Sequence, residues 1–280
     1  MKQISILGCG WLGLPLAKSL IANGFSINGS TTSKEKISIL EKSGINPFMI
    51  SLSAEVVLEE TITSIENFLS NSQLLVIDIP PNLRGDSNEN FVEKIKNLIP
   101  FIIKAGITKV IFVSSTSVYQ DMNLISKSVT ELDIPEPNTE SGKQLLEAEH
   151  LLQNHSNFQT TVIRFGGLIG EDRHPITFLA GKTNIENPEA PINLIHQDDC
   201  IGIIKSIIEK GKDRFENNDF NATFNAVNPF HPSRKEYYTQ KAIEFHLPLP
   251  EFNENKSSVG KLVTSVKAET ILNYTFKKKL

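Results

Sequence analysis

Little in this sequence favours a disulfide scaffold, a metal centre or a surface for nucleic acid. The 280 residues include only two cysteines, Cys9 and Cys200, which lie far apart and lack the spacing of a metal site or a redox pair. The six histidines are scattered without a metal-binding spacing, so no metal site is expected. The formal net charge of -4 gives no attraction for a nucleic-acid backbone or an anionic membrane, so neither is expected as a partner.

Long apolar runs are also missing from the chain. No hydrophobic segment approaches the roughly 20 residues that a membrane-spanning helix needs. The chain enters an apolar strand within its first few residues, which leaves no room for a signal peptide, so a cytoplasmic location is expected. Hydrophobic residues make up 39% and charged residues 21%, as in ordinary globular proteins, and the length suffices for one large or two closely joined domains.

The first stretch of the chain carries its most specific motif. Residues 4–7 are a short apolar strand that runs directly into residues 8–13, Gly-Cys-Gly-Trp-Leu-Gly, and a helical pattern follows. Gly8 allows a tight turn, Gly10 removes a side chain where a pyrophosphate would approach, and Gly13 lets the helix pack on the strand. A plain glycine-rich turn is the structural alternative. The free N–H groups of the helix N-terminus favour a dinucleotide cofactor, bound by Gly8, Gly10, Trp11, Leu12 and Gly13.

The second predicted strand, residues 25–30, ends without a carboxylate. In a dinucleotide-binding fold, an acid at this point usually binds the ribose 2′-hydroxyl of NAD. Hydroxyls and a lysine stand here instead and could hold a 2′-phosphate, so NADP is favoured over NAD. The cofactor contacts predicted on this segment are Thr31, Thr32, Ser33 and Lys34. Thr32 also fits the N-cap of a capping box, and both interpretations can hold together.

Two further strands are predicted to end at the cofactor. Residues 74–79 form an apolar run typical of a central parallel strand, which two prolines end, and a polar loop at 82–88 follows. Residues 109–119 form another buried strand that runs into hydroxyl side chains. The carboxyl ends of parallel strands line the ligand crevice of such a sheet. Three residues are therefore predicted to contact the cofactor: Pro80, Pro81 and Ser114.

Strand and helix patterns alternate regularly along the first 165 residues, and the alternation becomes irregular after that point. The sequence predicts a Rossmann-type α/β fold, with a doubly wound parallel sheet in an NAD(P)-binding domain of residues 1–165. Residues 166–280 are expected to form a smaller C-terminal substrate-binding region packed on it. Within that region, Asp199 is predicted to cap a helix starting near Cys200, and the lysines at 277–279 are predicted to form a solvated tail.

Five blocks carry a family resemblance because they occur together and in order along nearly the whole chain. They are the phosphate loop, residues 114–119 (SSTSVY), 164–170 (RFGGLIG), 193–199 (NLIHQDD) and 223–228 (TFNAVN). Together they resemble the extended short-chain dehydrogenase/reductase superfamily, the group of NAD-dependent epimerases and dehydratases. The resemblance implies an NAD(P)-dependent oxidoreductase or epimerase acting on a small-molecule substrate, with nucleotide- and sugar-linked compounds as candidates, and it leaves a homodimer open.

The acid–base pair of that superfamily is missing from this chain. Family enzymes combine a serine or threonine after the fifth strand with a Tyr-x-x-x-Lys pair on the next helix, which exchanges a proton while the nicotinamide exchanges a hydride. Ser115 matches the hydroxyl position, but Ser141 stands at the tyrosine position and Leu145 at the lysine position. The chain therefore resembles the atypical branch of the superfamily. The same spacing recurs far downstream, where it is interpreted as chance: Tyr237 with Lys241 and Tyr274 with Lys278.

Another group could supply the missing proton. Tyr119 follows the strand and is a candidate, although packing beside the cofactor is the competing interpretation. Arg164 either anchors a loop or binds an anionic group of the substrate, and the sequence leaves both open. The candidate catalytic residues are therefore Ser115, which would orient the substrate, and Tyr119. The absent pair also motivates an alternative function, a dinucleotide-binding redox sensor or partner-binding module without turnover.

Overall fold

The central element of the protein is a seven-stranded parallel sheet. The computed structural model describes residues 2–55, 59–81, 83, 89–122, 127–213 (backbone alone at 212 and 213) and 220–280, so most of the predicted loop at 82–88 lies outside the described residues. The strands, in spatial order across the sheet, are β10 (Thr223–Ala226), β7 (Gln159–Phe165), β5 (Lys109–Ser115), β4 (Ser72–Ile77), β1 (Gln3–Leu7), β2 (Ser26–Thr31) and β3 (Asn46–Met49).

Helices cover both faces of this sheet. In chain order the described helices are α1 (Gly13–Ala22), α2 (Ile37–Lys42), α3 (Glu59–Leu69), α4 (Phe91–Lys104), α5 (Glu140–Gln153), α6 (Ile176–Leu179), α7 (Gln197–Asp213), α8 (Arg234–Glu244) and α9 (Val266–Ile271). Two short parallel strand pairs lie outside the sheet: β6 (Ser128–Val129) with β11 (Leu262–Val263), and β8 (Gly167–Ile169) with β9 (Leu194–His196).

The apolar runs of the strands are explained by the two cores that they separate. Leu16 of α1 and Ile203 of α7 belong to one buried cluster, together with Ile6 of β1. Ile95 of α4 and residues of α3 and α5 form the second cluster with Leu75 of β4. A strand buried on both faces has no polar side to present, which is why β4 is almost continuously apolar. This arrangement confirms the predicted Rossmann-type α/β fold.

Residues after 165 contribute both to the sheet and to a smaller cluster beside it. β10 pairs with β7, with Phe224 opposite Ile163, and becomes the edge strand of the sheet. Ile176 of α6 and Tyr237 of α8 pack in a separate small core. The division into residues 1–165 and 166–280 remains a prediction. No helix among the described residues is both long and apolar enough to cross a bilayer.

Two predicted helix starts were wrong. Thr32 is not an N-cap, because β2 extends through Thr31 and a short 3-10 turn, Lys34–Lys36, begins only after Ser33. The Thr31 hydroxyl instead accepts the Ser33 N–H at 3.1 Å. α7 begins at Gln197, so Asp199 lies inside its first turn and does not precede the helix.

The lysines at 277–279 are exposed, as expected of a solvated tail, but the backbone of this segment is held by Asp199. This fully buried carboxylate accepts the Tyr274 hydroxyl at 2.8 Å and the N–H groups of Lys277 and Lys278 at 2.8 and 3.2 Å. The side chain of Lys278 pairs with Asp198 at 2.9 Å. A buried carboxylate needs several donors, and the returning chain end supplies them here.

Candidate dinucleotide-binding site

The phosphate loop between β1 and α1 is held by the ends of its two neighbouring strands. Ser30, at the end of β2, accepts the Gly8 N–H on its hydroxyl at 2.9 Å and the Cys9 N–H on its carbonyl oxygen at 2.7 Å. Gly8 has a φ of +104°, and a Cβ there would lie 2.2 Å from the carbonyl oxygen of Asp78 after β4. Only glycine fits this position, for reasons of both conformation and space.

The other two glycines of the motif have different surroundings. A Cβ at Gly13 would lie 2.2 Å from the Gly8 carbonyl oxygen, so this glycine allows α1 to pack tightly against the loop. A Cβ at Gly10 would have no atom within 4 Å, so the space beside this residue is open. Within the described chain, the N–H groups of Trp11 and Leu12 have no acceptor. Open space beside free N–H groups at a helix N-terminus suits a phosphate group.

Trp11 ties this loop to the C-terminal part of the chain. Its indole N–H donates to Asp172 at 2.8 Å, and the Arg173 guanidinium lies 5.0 Å from the ring centroid. The Gln197 amide donates to the Trp11 carbonyl oxygen at 2.6 Å. A cleft of about 560 Å³ opens here, lined by Gly10, Trp11, Leu14, Pro15, Glu171, Asp172, His196, Gln197 and Asp198. The loop conformation therefore depends on residues far away in sequence.

Asp78 places a carboxyl group beneath the phosphate loop. The residue follows β4 directly and is partly exposed as a whole, but its carboxyl group is packed against the loop at Gly13, whose N–H it accepts. Burial raises the pKa of its carboxyl group to about 8, and the Gly13 hydrogen bond opposes this shift. Cys9 is buried nearby, and burial, with a further contribution from the Asp78 charge, raises the pKa of its thiol to about 12. Neither group is therefore predominantly charged at neutral pH.

The end of β2, where cofactor selectivity was predicted, carries hydroxyls of different exposure. Thr31 is buried and its hydroxyl bonds the Ser33 N–H, whereas Thr32 and Lys34 are exposed. The Ser33 hydroxyl donates to Glu35 at 2.6 Å, so one carboxylate does lie next to this turn. Pro80 and Pro81 follow the carboxyl end of β4, the strand next to β1.

Ser115 lies at the carboxyl end of β5, where the predicted catalytic hydroxyl was expected. It is partly exposed, and its hydroxyl accepts the Ser117 N–H at 3.1 Å. The first turn of α5 packs against this turn, since a Cβ at Gly142 would lie 2.5 Å from the Ser117 carbonyl oxygen. The structure thus brings the segment that begins with Ser141 close to the turn after Ser115, while Leu145 one turn later is buried.

Behind Ser115 lies a buried polar network that uses several predicted residues. Arg164 of β7 pairs with Glu149 of α5, with Nη2 and Oε2 2.6 Å apart. Its Nη1 donates to the Tyr119 hydroxyl at 2.6 Å, and that hydroxyl donates to Asn225 at 3.0 Å. The Ser114 hydroxyl donates to Glu149 at 2.5 Å. Arg164 therefore anchors the interior of the protein.

This network also bears on the chemistry of Tyr119 and Ser114. Burial raises the pKa of the Tyr119 phenol, although the neighbouring Arg164 opposes the shift. A phenol that is buried, bonded to Arg164 and Asn225 and harder to ionise is a poor proton donor or acceptor for a substrate. The geometry favours packing for Tyr119, and the hydroxyl of Ser114 is likewise engaged inside the protein.

The downstream Tyr-x-x-x-Lys spacings serve other contacts. The Tyr237 hydroxyl lies 2.9 Å from Nε2 of the buried His174, and Lys241 pairs with Glu244 at 2.8 Å. Tyr274 and Lys278 belong to the chain end held by Asp199 and Asp198. These contacts agree with the interpretation of both spacings as chance. Among the residues that the structure describes, no group of three or more His, Cys, Asp or Glu side chains could hold a metal ion.

Sequence reasoning missed four residues that shape the phosphate loop: Ser30, Asp78, Asp172 and Gln197. Asp78 had a signal, because an acid at the end of an apolar strand is unusual and this strand was already predicted to face the cofactor. Ser30 was seen only as the end of β2. Asp172 and Gln197 had no local signal, since they reach the loop from positions 161 and 186 residues away from Trp11.

A curated protein of similar sequence is protein YeeZ from Escherichia coli K-12. It is 33% identical to this chain over 264 residues, which cover 94% of this chain and 91% of YeeZ. No model of a known protein family matches the chain.

Solved structures with the same fold include several NAD-bound proteins. A short-chain dehydrogenase/reductase superfamily protein from Agrobacterium tumefaciens with bound NAD has a TM-score of 0.77 at 16% identity, covering 99% of this chain and 93% of that one. UDP-glucuronic acid 4-epimerase from Bacillus cereus in complex with NAD has a TM-score of 0.76 at 17% identity, covering 99% and 92%. MoeE5 in complex with UDP-glucose and NAD has a TM-score of 0.77 at 17% identity, covering 99% and 94%.

Proposed function

Because this chain belongs to the family of protein YeeZ and has the fold of the short-chain dehydrogenase/reductase superfamily, we propose that it binds a nicotinamide dinucleotide. The proposed activity is that of an oxidoreductase or epimerase on a small molecule, with nucleotide- and sugar-linked compounds as candidates. Neighbours in complex with UDP-glucose or NAD support this substrate class and cofactor. The location is proposed to be cytoplasmic, and a homodimer remains open.

The observation that carries the proposal is the geometry of the phosphate loop. Gly8 and Gly13 are required for its shape, whereas Gly10 borders open space. At the N-terminus of α1, the N–H groups of Trp11 and Leu12 have no acceptor among the described residues. A loop that only connected a strand to a helix would need the first and third glycines but would have no requirement for the second.

The cofactor would accept or donate a hydride at its nicotinamide ring, and the chain would bind and orient both molecules. Ser115 is proposed to orient the substrate, because it is partly exposed at the carboxyl end of β5. Pro80 and Pro81 are proposed to lie along the cofactor at the end of β4. Tyr119 is proposed to support the carboxyl end of β5 through its hydrogen bonds to Arg164 and Asn225.

NADP is the proposed preference at the end of β2. Thr32 and Lys34 are exposed there, and a hydroxyl together with an ammonium group could bind a 2′-phosphate. The Glu35 carboxylate accepts the Ser33 hydroxyl and in this position would repel the 2′-phosphate. Binding of the 2′-phosphate therefore requires the hydrogen bond between Ser33 and Glu35 to break, so that Glu35 can move away.

A dinucleotide-binding sensor or partner-binding module without turnover is the second candidate. The specific observation in its favour is that the residues at the family's acid–base positions, Ser141 and Leu145, cannot exchange a proton as tyrosine and lysine do. The nearby phenol of Tyr119 is engaged inside the protein.

Trp11 is the only tryptophan of the chain and lies in the proposed site, so its fluorescence provides the test. NADPH and NADH are titrated separately into the full-length protein, following quenching and energy transfer from Trp11. We expect saturable binding of both, with NADPH tighter; saturable binding of neither would refute the dinucleotide site. A screen of carbonyl and sugar-nucleotide substrates at saturating cofactor then separates an enzyme, which turns one over, from the module, which turns over none.

A further inference from the structure

Asp78 is held in a fixed position at the phosphate loop, and its ionised carboxylate would be negatively charged like the phosphates expected to bind there. Its backbone N–H donates to the Leu7 carbonyl oxygen at 2.8 Å, which continues the sheet pairing and fixes the residue at the loop. Its Oδ2 lies 3.2 Å from the position that a Cβ of Gly13 would occupy, and the carboxyl group accepts the Gly13 N–H. The carboxyl group therefore occupies one donor at the N-terminus of α1.

Among the residues that the structure describes, no charged side chain compensates Asp78. The charge of Asp78 acts on two thiols: it raises the pKa of Cys9 in the β1–α1 loop and the pKa of Cys200 in α7. Asp199 and Arg173 act on the pKa of the Cys200 thiol as well, but neither shifts the pKa of Asp78. Within the described ranges, the Gly13 N–H is the one group that favours the ionised carboxylate, and burial opposes ionisation more strongly.

We propose that Asp78 couples cofactor binding to the uptake of a proton. The inference rests on the proposed function, because the cofactor pyrophosphate is the anion that would share the loop. A pyrophosphate bridge is negatively charged throughout the neutral and mildly alkaline range. Its arrival disfavours a second negative charge beside Gly13, so Asp78 holds a proton in the complex. By reciprocity, an ionised Asp78 weakens cofactor binding by the same factor.

A purely structural role for Asp78 makes a different prediction. An ionised carboxylate can cap a helix N-terminus and stabilise it, whatever binds nearby. In that case the cofactor affinity would not depend on the protonation of Asp78. Replacement by asparagine separates the two roles, because the amide oxygen can still accept the Gly13 N–H while the side chain can no longer ionise.

The experiment is calorimetric titration of the full-length protein with NADPH, and in parallel with NADH, between pH 7.5 and 9.5. The 2′-phosphate of NADPH has a pKa near 6, as other phosphate monoesters do, so it is already ionised in this range. Repeating each titration in buffers of different ionisation enthalpy counts the protons taken up. The variants are Asp78→Asn and, as a matched control, Glu66→Gln, which removes an exposed carboxylate of α3 that pairs with Lys104.

We expect the affinity of the wild type to fall with rising pH, approaching about tenfold per pH unit, with uptake of up to one proton. Glu66→Gln should keep this dependence, whereas Asp78→Asn should bind with nearly constant affinity and no proton uptake. Thermal unfolding establishes that each variant is folded, and Asp78→Ser replaces Asp78→Asn if the latter is not.

Two results would overturn the inference while leaving the proposed function intact. They are a wild-type affinity that does not change with pH, and a non-ionisable variant that keeps the wild-type slope. Failure of the wild type and both variants to bind either nucleotide at any pH would overturn the proposed function, and this inference with it.

Discussion

The indole N–H of Trp11 donates a hydrogen bond to the carboxylate of Asp172 at 2.8 Å, across a separation of 161 residues. The contact joins the phosphate loop, near the start of the chain, to the segment between β8 and α6. Gly170 makes it possible, because a Cβ there would lie 2.7 Å from the indole ring. The proposed cofactor site is therefore completed by the part of the chain expected to bind the substrate.

Loss of the Asp172 contact should weaken cofactor binding more than it weakens the fold. In Asp172→Ala the indole loses its acceptor at an exposed position, so the free energy of unfolding should fall by about 1 kcal/mol or less. The NADPH dissociation constant, measured by calorimetry, should rise several-fold because the loop is less well ordered. Glu171→Ala lines the same cleft without bonding the indole and serves as the control. Equal effects of the two changes would contradict this role for Asp172.

The glycines of the loop offer a paired test of fold against function. Gly10→Ala meets no atom within 4 Å, so its unfolding midpoint in urea should match that of the wild type. Its NADPH affinity should fall at least about tenfold, because the new methyl group occupies the space proposed for the pyrophosphate.

Gly13→Ala should behave in the opposite order. Its methyl group would lie 2.2 Å from the Gly8 carbonyl oxygen, so the backbone must shift and the free energy of unfolding should fall by at least about 2 kcal/mol. Urea denaturation of both variants provides the comparison. A stable Gly13→Ala protein, or a Gly10→Ala protein with unchanged affinity, would show that the loop geometry is misassigned.

The buried pair of Arg164 and Glu149 should stabilise the fold only as a pair. Glu149→Gln leaves the guanidinium buried without its counter-charge, and Arg164→Met does the same to the carboxylate, so each should lower the free energy of unfolding by about 3 kcal/mol. The double variant should recover a large part of this loss, because no charge remains buried. Additive losses in this double-mutant cycle would mean that the two side chains contribute independently.

His174 should make the fold sensitive to mild acid. Its Nδ1 accepts the Ile176 N–H at 3.2 Å, so the neutral ring carries its proton on Nε2. Burial, and next the charge of Lys241, lower the pKa of the ring to about 4. Since this value lies below that of the unfolded chain, the stabilisation is complete above about pH 6.5 and is lost as the pH falls towards 4.

The measurement is urea denaturation between pH 7 and 4. The wild type should lose up to about 3 kcal/mol over this range from this group, and His174→Gln should lose less. His150→Gln removes an exposed histidine of α5 and should leave the pH dependence unchanged. An identical pH dependence of His174→Gln and the wild type would assign the acid sensitivity to other groups.

The amino-acid sequence by itself determined the fold class and the phosphate loop. Both follow from local patterns: the apolar run of residues 4–7, the three glycines at fixed spacing, and the alternation of strand and helix. The alternation predicted a parallel sheet, but the spatial order of its seven strands came from the structure. The absence of the acid–base pair was also readable through the family resemblance, which places Ser141 and Leu145 at the tyrosine and lysine positions.

Only the tertiary structure decided which polar groups are free. Arg164 could equally have bound a substrate until Glu149 and Tyr119 were found beside it, and Asp199 could have capped a helix until the chain end was found to bond it. Hydrogen bonds and ion pairs form between neighbours in space, and these partners are separated by 15 to 78 residues. The periodicity of a sequence shows which side chains turn inward, but it does not show which of them meet.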